Sequence, residues 1–276
     1  MNLVAIEYIE QLTGREYMYI TWTLRMLPYL MMLVTGTLVY LLLIKTKIKR
    51  LEGSRADFVT AYRKLGKPRP AEIIALGLFL AALALAFLRP LYEQLLPSFK
   101  PFFAFLLMGL LAFFIRGEKG KPLITWDLAV QKINWGLLIL FSGGMAAGNL
   151  IISTGAANSL AGVLASSGLH HPYLMVLVFV AFGLFLANAS SNTAAVAVLI
   201  PIVISITTAL SLDPMPYIYI TSAACNCAYA LPTSIRAIPV GYGLSVNYMF
   251  KKGLVAALVS LLVLAVAALV HIAGLG

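Results

Sequence analysis

Between residues 188 and 193 the chain reads Asn188-Ala189-Ser190-Ser191-Asn192-Thr193, six small neutral residues set between apolar runs at 172–188 and 194–211. A cytoplasmic loop joining two full membrane spans usually carries Lys or Arg. This connection has neither, and every side chain in it except that of Ala189 can accept or donate a hydrogen bond. Irregular polar backbone at membrane depth is tolerated where it is buried in protein or lines a cavity. The reading that follows is a re-entrant hairpin over 172–211 with its tip near the midplane.

The surroundings of the tip set the class. From Ile133 to Leu212, 80 residues pass without Asp, Glu, Lys or Arg, broken only by Gly, Asn, Ser, Thr and Pro and by the pair His170-His171. The whole chain of 276 residues is 61% hydrophobic and 11% charged, and its mean hydropathy is +0.94. A soluble domain carries roughly 25% charged residues. An ordinary cytosolic enzyme, a secreted disulfide module and a disordered tail are all excluded. The fold class is all-α: a polytopic membrane protein of scaffold helices, one re-entrant hairpin and one broken helix.

The net charge of +10 has a membrane explanation. Nine of the 20 Lys/Arg fall in 45–69, between two apolar runs, as the positive-inside rule expects of a cytoplasmic loop. No nucleic-acid partner is expected. Cys225 and Cys227 have neither disulfide-framework nor zinc spacing, and are read as two buried thiols on different faces of a helix.

A span needs about 20 apolar residues. Candidates are 17–44, 71–88, a shorter 101–115, 135–155, the hairpin, 217–243 interrupted by Pro232 and Pro239, and 253–272. Residues 1–16, with Glu7, Glu10 and Glu16, read as an interfacial approach to the first span; no cleavable signal peptide is evident. With 45–69 inside, alternation brings Arg116, Lys119, Lys121, Lys132, Lys251 and Lys252 to the same side and leaves the C-terminus outside. Residues 125–133 then form a short interfacial helix anchored by Trp126 and Trp135, and 55–65 form either an amphipathic helix on lipid headgroups or a solvated connector. This is an integral protein of the cell (inner) membrane.

Two polar breaks carry the candidate chemistry. One is Ser190-Ser191-Asn192-Thr193. The other is Ala230-Leu231-Pro232-Thr233-Ser234-Ile235-Arg236, where Pro232 removes a backbone donor and frees a carbonyl one turn back. Broken helices in membranes present half-helix N-termini to anions and unwound carbonyls to Na+. Hydroxyl and amide oxygens suit an alkali cation, and the same groups donate hydrogen bonds to a carboxylate. Ser, Thr and Asn can equally serve as glue between helices. Arg236 lies near mid-membrane, where a charge costs about 2.5–3.5 kcal/mol on insertion scales. Two readings of it stand: an anion-binding Arg that replaces part of a coupling-ion site, or an Arg that snorkels or pairs with nearby carbonyls.

Ala189-Ser190-Ser191-Asn192-Thr193-Ala194-Ala195, running into Val198-Leu199-Ile200-Pro201, closely resembles the second Ser-Asn-Thr motif of the divalent anion/sodium symporters. These are the sodium-coupled dicarboxylate, citrate and sulfate transporters. Cys227-Ala228-Tyr229-Ala230-Leu231-Pro232 with Gly241-Tyr242-Gly243 is similar to their unwound penultimate helix. The run from Trp135 to Gly144 is similar to the glycine-rich helix before the hairpin, and Thr21-Trp22 with Pro28 to the helix joining the two repeats.

The resemblance implies the C-terminal half of an inverted-repeat, elevator-type transporter. On it, residues 1–70 are a linking helix and basic loop, and 71–276 are the second repeat. That repeat comprises scaffold helices over 71–115, the interfacial helix, a transport part over 134–252 and a last helix over 253–273. It also implies that Ser191, Asn192, Thr193, Pro232 and Thr233 bind a carboxylate or other divalent oxyanion; Arg236, a departure from the family, is added to this set from its mid-membrane position. Ala187, Ser191, Asn192, Ala230 and Ser234 bind Na+, with no organic cofactor and no other metal. The scaffold helices form a homodimer in the lipid bilayer.

Two departures matter. The family continues its unwound loop with a Thr-Pro element and an Asn, where this chain has Thr233-Ser234-Ile235-Arg236. The first Ser-Asn-Thr copy is not found before residue 133, so a separate N-terminal-half subunit or a truncation is expected. Competing readings are a proton-coupled or metalloid antiporter, which usually needs intramembrane Asp, Glu or His, and a transport-incompetent scaffold. An intramembrane enzyme is disfavoured because HExxH, GxSxG and paired mid-span Asp do not occur.

Overall fold

A computed structural model describes residues 2–44, 55–117, 120, 122–133, 135–136, 139, 142–143, 146, 150, 153–155, 159, 162, 171–232, 236–241 and 243–273. Among the described residues every regular element is a helix; one isolated antiparallel bridge joins Arg116 to Pro122. In chain order the helices are α1 (Asn2–Thr13), α2 (Tyr19–Leu43), α3 (Arg55–Leu65), α4 (Pro70–Phe87), α5 (Arg89–Tyr92) and α6 (Pro101–Phe114). They continue with α7 (Trp126–Lys132), α8 (Pro172–Ala189), α9 (Asn192–Ala209), α10 (Pro214–Cys225), α11 (Ala237–Gly241) and α12 (Val246–Ala273). Tyr19–Leu43, Pro70–Phe87, Pro172–Ala189, Asn192–Ala209 and Val246–Leu269 are long and apolar enough to cross a membrane; Pro101–Phe114 is shorter. The protein is an integral membrane protein. The span expected over 135–155 falls mostly outside the described residues.

The chain forms two compact units. The smaller comprises Met18–Ile20 and Lys45–Asn134. Its α4 starts where Pro70 supplies a preset φ and Glu72 accepts the Arg69 backbone N–H at 3.0 Å. It packs along α6, which also has a proline, Pro101, at its start. Between them the turn is tied by Arg89, which is fully buried. Its Nη1 donates to the Leu96 carbonyl at 3.0 Å and its Nη2 to that of Pro97 at 2.8 Å, and its guanidinium lies 5.2 Å from the Tyr92 ring centre. Arg89→Leu is expected to destabilise this unit by about 1.5–3 kcal/mol, the range for hydrogen bonds from a charged group. A lowered melting temperature in detergent is the readout.

The larger unit comprises Met1–Tyr17, Thr21–Ile44 and Trp135–Gly276. At its centre stands α10, buried without interruption from Pro216 to Cys225. A helix apolar all round belongs inside a bundle, and the hairpin arms α8 and α9, together with α12, pack around this one. Gly183 lets α8 approach closely, since a Cβ there would stand 3.3 Å from both the Ala224 methyl and the Cys225 sulfur.

The acidic stretch at the start does more than approach a span. Val4, Ala5, Ile6, Tyr8 and Ile9 form a buried stripe of α1, which packs on α9 and α10. Pro201 lies inside α9 and lacks the N–H that would pair with the carbonyl of Ala197 four residues earlier. The Tyr8 hydroxyl donates to that buried carbonyl at 3.0 Å. Nearby, Trp22 of α2 packs at 5.6 Å against the Tyr219 ring of α10, whose hydroxyl is hydrogen-bonded to that of Tyr17.

Candidate functional site

The hairpin turns in two residues. Ser190 ends α8 with φ −131° and ψ −130°, and donates to the Leu186 carbonyl from its N–H at 2.9 Å and its hydroxyl at 2.7 Å. Ser191 is already extended, with φ −115° and ψ 153°, and caps α9 by accepting the Ala194 N–H on its Oγ at 3.2 Å. A helix ends with four carbonyls and begins with four N–H groups that lack intrahelical partners. Two such ends meet at this tip. The α8 end carries partial negative charge and the α9 end partial positive charge.

The second break begins earlier than the sequence predicts. The break was read from Ala230, with 227–232 similar to an unwound helix; α10 in fact ends at Cys225, and residues 227–232 are not helical. Asn226 closes the helix, its Nδ2 donating to the Ser222 carbonyl at 3.1 Å, and the Cys227 N–H donates to Ala224 at 2.9 Å. Both cysteines are buried free thiols, as expected. Only Cys225 is helical, however; Cys227 lies beyond the helix end, its thiol donating to the Ala223 carbonyl at 3.3 Å.

An unwound segment in an apolar interior must find partners for its N–H groups. Asn188 supplies one oxygen for two of them: its Oδ1 accepts from Tyr229 N–H at 3.0 Å and Ala230 N–H at 2.8 Å. Its Nδ2 donates to Leu184 within its own helix at 2.8 Å, which fixes the amide orientation. The other flank is held by α12, where Gly253 lies directly against the Tyr229 and Ala230 backbone. The cavity of about 340 Å³ beside this latch is walled by apolar side chains such as Leu184, Phe185, Leu231 and Leu254, and so is unsuited to a charged solute.

Arg236 returns to the tip from beyond the break. Its Nη2 donates to the Ala187 carbonyl at 3.0 Å and the Ser190 carbonyl at 3.2 Å, and its Nη1 to Asn192 Oδ1 at 3.3 Å. The guanidinium pairs with nearby carbonyls, as the second of its two sequence readings describes, and this pairing leaves the first reading open. Ala187, Ser191, Asn192 and Arg236 are therefore brought together, with Thr193 half-buried in the first turn of α9. Ala230 is buried and tied to Asn188, and Pro232 is half-buried. Thr233 and Ser234 lie outside the described residues. Sequence reasoning missed Asn188 and Gly253 as parts of the site. The legible signal for Asn188 was an amide in an apolar helix two residues before the tip, and it passed as part of the connection.

Two helices meeting end to end at a polar tip, latched to a third that unwinds inside an apolar bundle, define a polytopic membrane protein built on broken helices. The chain belongs to the family described as the sodium:sulfate symporter transmembrane region, which matches residues 1–275. It is 31% identical over 266 residues to the sodium-dependent dicarboxylate transporter SdcS of Staphylococcus saprophyticus. It is 30% identical over 265 residues to SdcS of Staphylococcus aureus. Each comparison covers 91% of this chain and 50% of the relative, so the chain spans about half the length of the curated relatives it matches. The resemblance read from the tip and the unwound segment is to this family.

Proposed function

We propose that this chain acts in secondary transport of small di- or tricarboxylates, or other divalent oxyanions, coupled to Na+, in combination with a complementary first repeat. It is a transport protein rather than an enzyme. The observation that supports this best is the tip: carbonyls of Ala187 and Ser190 form one pole, and the capped start of α9 at Ser191-Asn192-Thr193 forms the other. One pole favours a cation and the other an anion. Substrate contacts are assigned to Ser191, Asn192 and Thr193, together with Pro232, Thr233 and Arg236. The cation pole is drawn from Ala187, Ser191 and Asn192, and Ala230 and Ser234 are assigned to complete it.

In this reading the transport part over 134–252 moves as one body against scaffold helices over 71–115, and those helices pair two copies in the inner membrane. The loop 45–69 is cytoplasmic and the C-terminus lies outside.

The test is Na+-gradient-driven uptake of labelled succinate, citrate or sulfate into liposomes holding this chain with and without a first-repeat polypeptide. Uptake that needs both halves and Na+ is expected, and a requirement for H+ instead would make it a proton-coupled carrier. No uptake under either gradient refutes transport. Asn192→Ala should cut uptake about 10–100-fold, because loss of a hydrogen bond to a charged group costs about 1.5–3 kcal/mol.

A further inference from the structure

We propose that the Arg236 guanidinium takes the place of a coupling cation at the hairpin tip, so that this pole is filled by a charge tethered to the protein rather than by Na+. The inference rests on reading the tip as a cation pole, and concerns what occupies it.

The geometry is that of a point-charge site. A single atom, Nη2, reaches both the Ala187 carbonyl at 3.0 Å and the Ser190 carbonyl at 3.2 Å, so the two oxygens converge on one position. Asn192 Oδ1 joins them through Nη1 at 3.3 Å. These acceptors are neutral hard oxygens, and two belong to the negative end of a helix dipole. Such a set holds an alkali ion in broken membrane helices. Here it holds a group with five N–H donors and a permanent positive charge.

The consequence is chemical. A free ion enters with the gradient and leaves after translocation. A tethered guanidinium travels in both directions and draws nothing from the gradient. This pole therefore supplies charge balance for a bound anion without Na+, and the number of ions coupled per cycle is lower by one than if Na+ filled it. The residue that fills the pole is supplied from beyond Pro232: position 236 carries an Arg whose guanidinium reaches the tip.

The experiment uses the full chain purified in detergent, with NaCl compared against choline chloride at constant ionic strength. Arg236→Gln is expected to gain a saturating Na+-dependent rise in melting temperature of several degrees beyond any shown by the unaltered chain. Arg236→Lys, which keeps the charge, should not gain it. Adding Asn192→Ala to Arg236→Gln should remove the gain. Equal Na+ dependence in the unaltered chain and Arg236→Gln overturns the proposal.

A second measurement needs no variant. Hydrogen exchange at the amides of residues 190–193 in the unaltered chain is expected to be the same in Na+ and choline, and protection of these amides by Na+ overturns the proposal. These are binding readouts. Failure of anion uptake would refute the transport reading and leave them standing, whereas Na+ protection of the tip alongside intact uptake would refute only the tethered cation.

Discussion

Replacing Asn188 with leucine is expected to release the unwound segment from the hairpin. Leucine keeps the branching of asparagine at Cγ, with bulkier methyl groups in place of the amide, and the oxygen that accepts from Tyr229 and Ala230 is lost. Each stranded N–H costs about 1–3 kcal/mol, and in an apolar bundle there is little water to take over. The two together amount to a large part of the roughly 5–15 kcal/mol by which a typical domain is stable. The checks are a marked fall in melting temperature and fast hydrogen exchange at residues 229 and 230. Asn226→Leu is the comparison. Its amide donates only to Ser222 within its own helix, so a change below about 1 kcal/mol is expected, that of an ordinary hydrogen bond. Similar losses for the two variants would refute the latch.

Gly253→Ala should be as damaging, and its sign is diagnostic. In an unconstrained helix, exchanging Gly for Ala gains about 1 kcal/mol. At position 253 the new Cβ would meet the Tyr229 carbonyl oxygen and stand 2.6 Å from the Ala230 Cα. These are backbone atoms and cannot step aside by changing rotamer. Overpacking of this kind costs about 1–3 kcal/mol, occasionally more, and must here displace the segment that Asn188 holds from the other side. Gly77→Ala in α4 is the control, because a Cβ there meets nothing within 4 Å. The expected result is a lower melting temperature and loss of folded yield for Gly253→Ala, with Gly77→Ala unchanged or better. A stabilised Gly253→Ala would show that the close approach does not exist.

The parts of the fold that were legible are those written in charge and hydropathy. Runs at 71–88 and 101–115 became α4 and α6, and 55–65 became α3. The tip was read from Ser190-Ser191-Asn192-Thr193 because small polar residues in an apolar field have few other uses. The second break was misplaced for a physical reason. Proline is a visible breaker, so the break was drawn around Pro232 from Ala230, yet the backbone has already left the helix after Cys225, where Asn188 accepts from two unwound N–H groups and Gly253 lets α12 lie against them. The resemblance of 227–232 marked the segment as unwound, but the groups that hold it lie on two other helices and were not legible locally. Likewise α1 was taken for an approach because its glutamates are conspicuous, while the Val4, Ala5, Tyr8 stripe that buries it gains meaning only once α9 and α10 are beside it.

The bond from Tyr8 to the Ala197 carbonyl also sets a clock on biogenesis. Its partners are 189 residues apart in the chain. At about 5–20 residues per second, a ribosome spends roughly 10–40 s between making the donor and making the acceptor. During that interval α1 has an apolar stripe and no place to bury it, and after it the kinked arm has an open carbonyl until α1 arrives. The earliest helix of this bundle therefore cannot finish docking until α9 is made. Slowed translation between these two positions should lengthen the time for which α1 remains open to a protease.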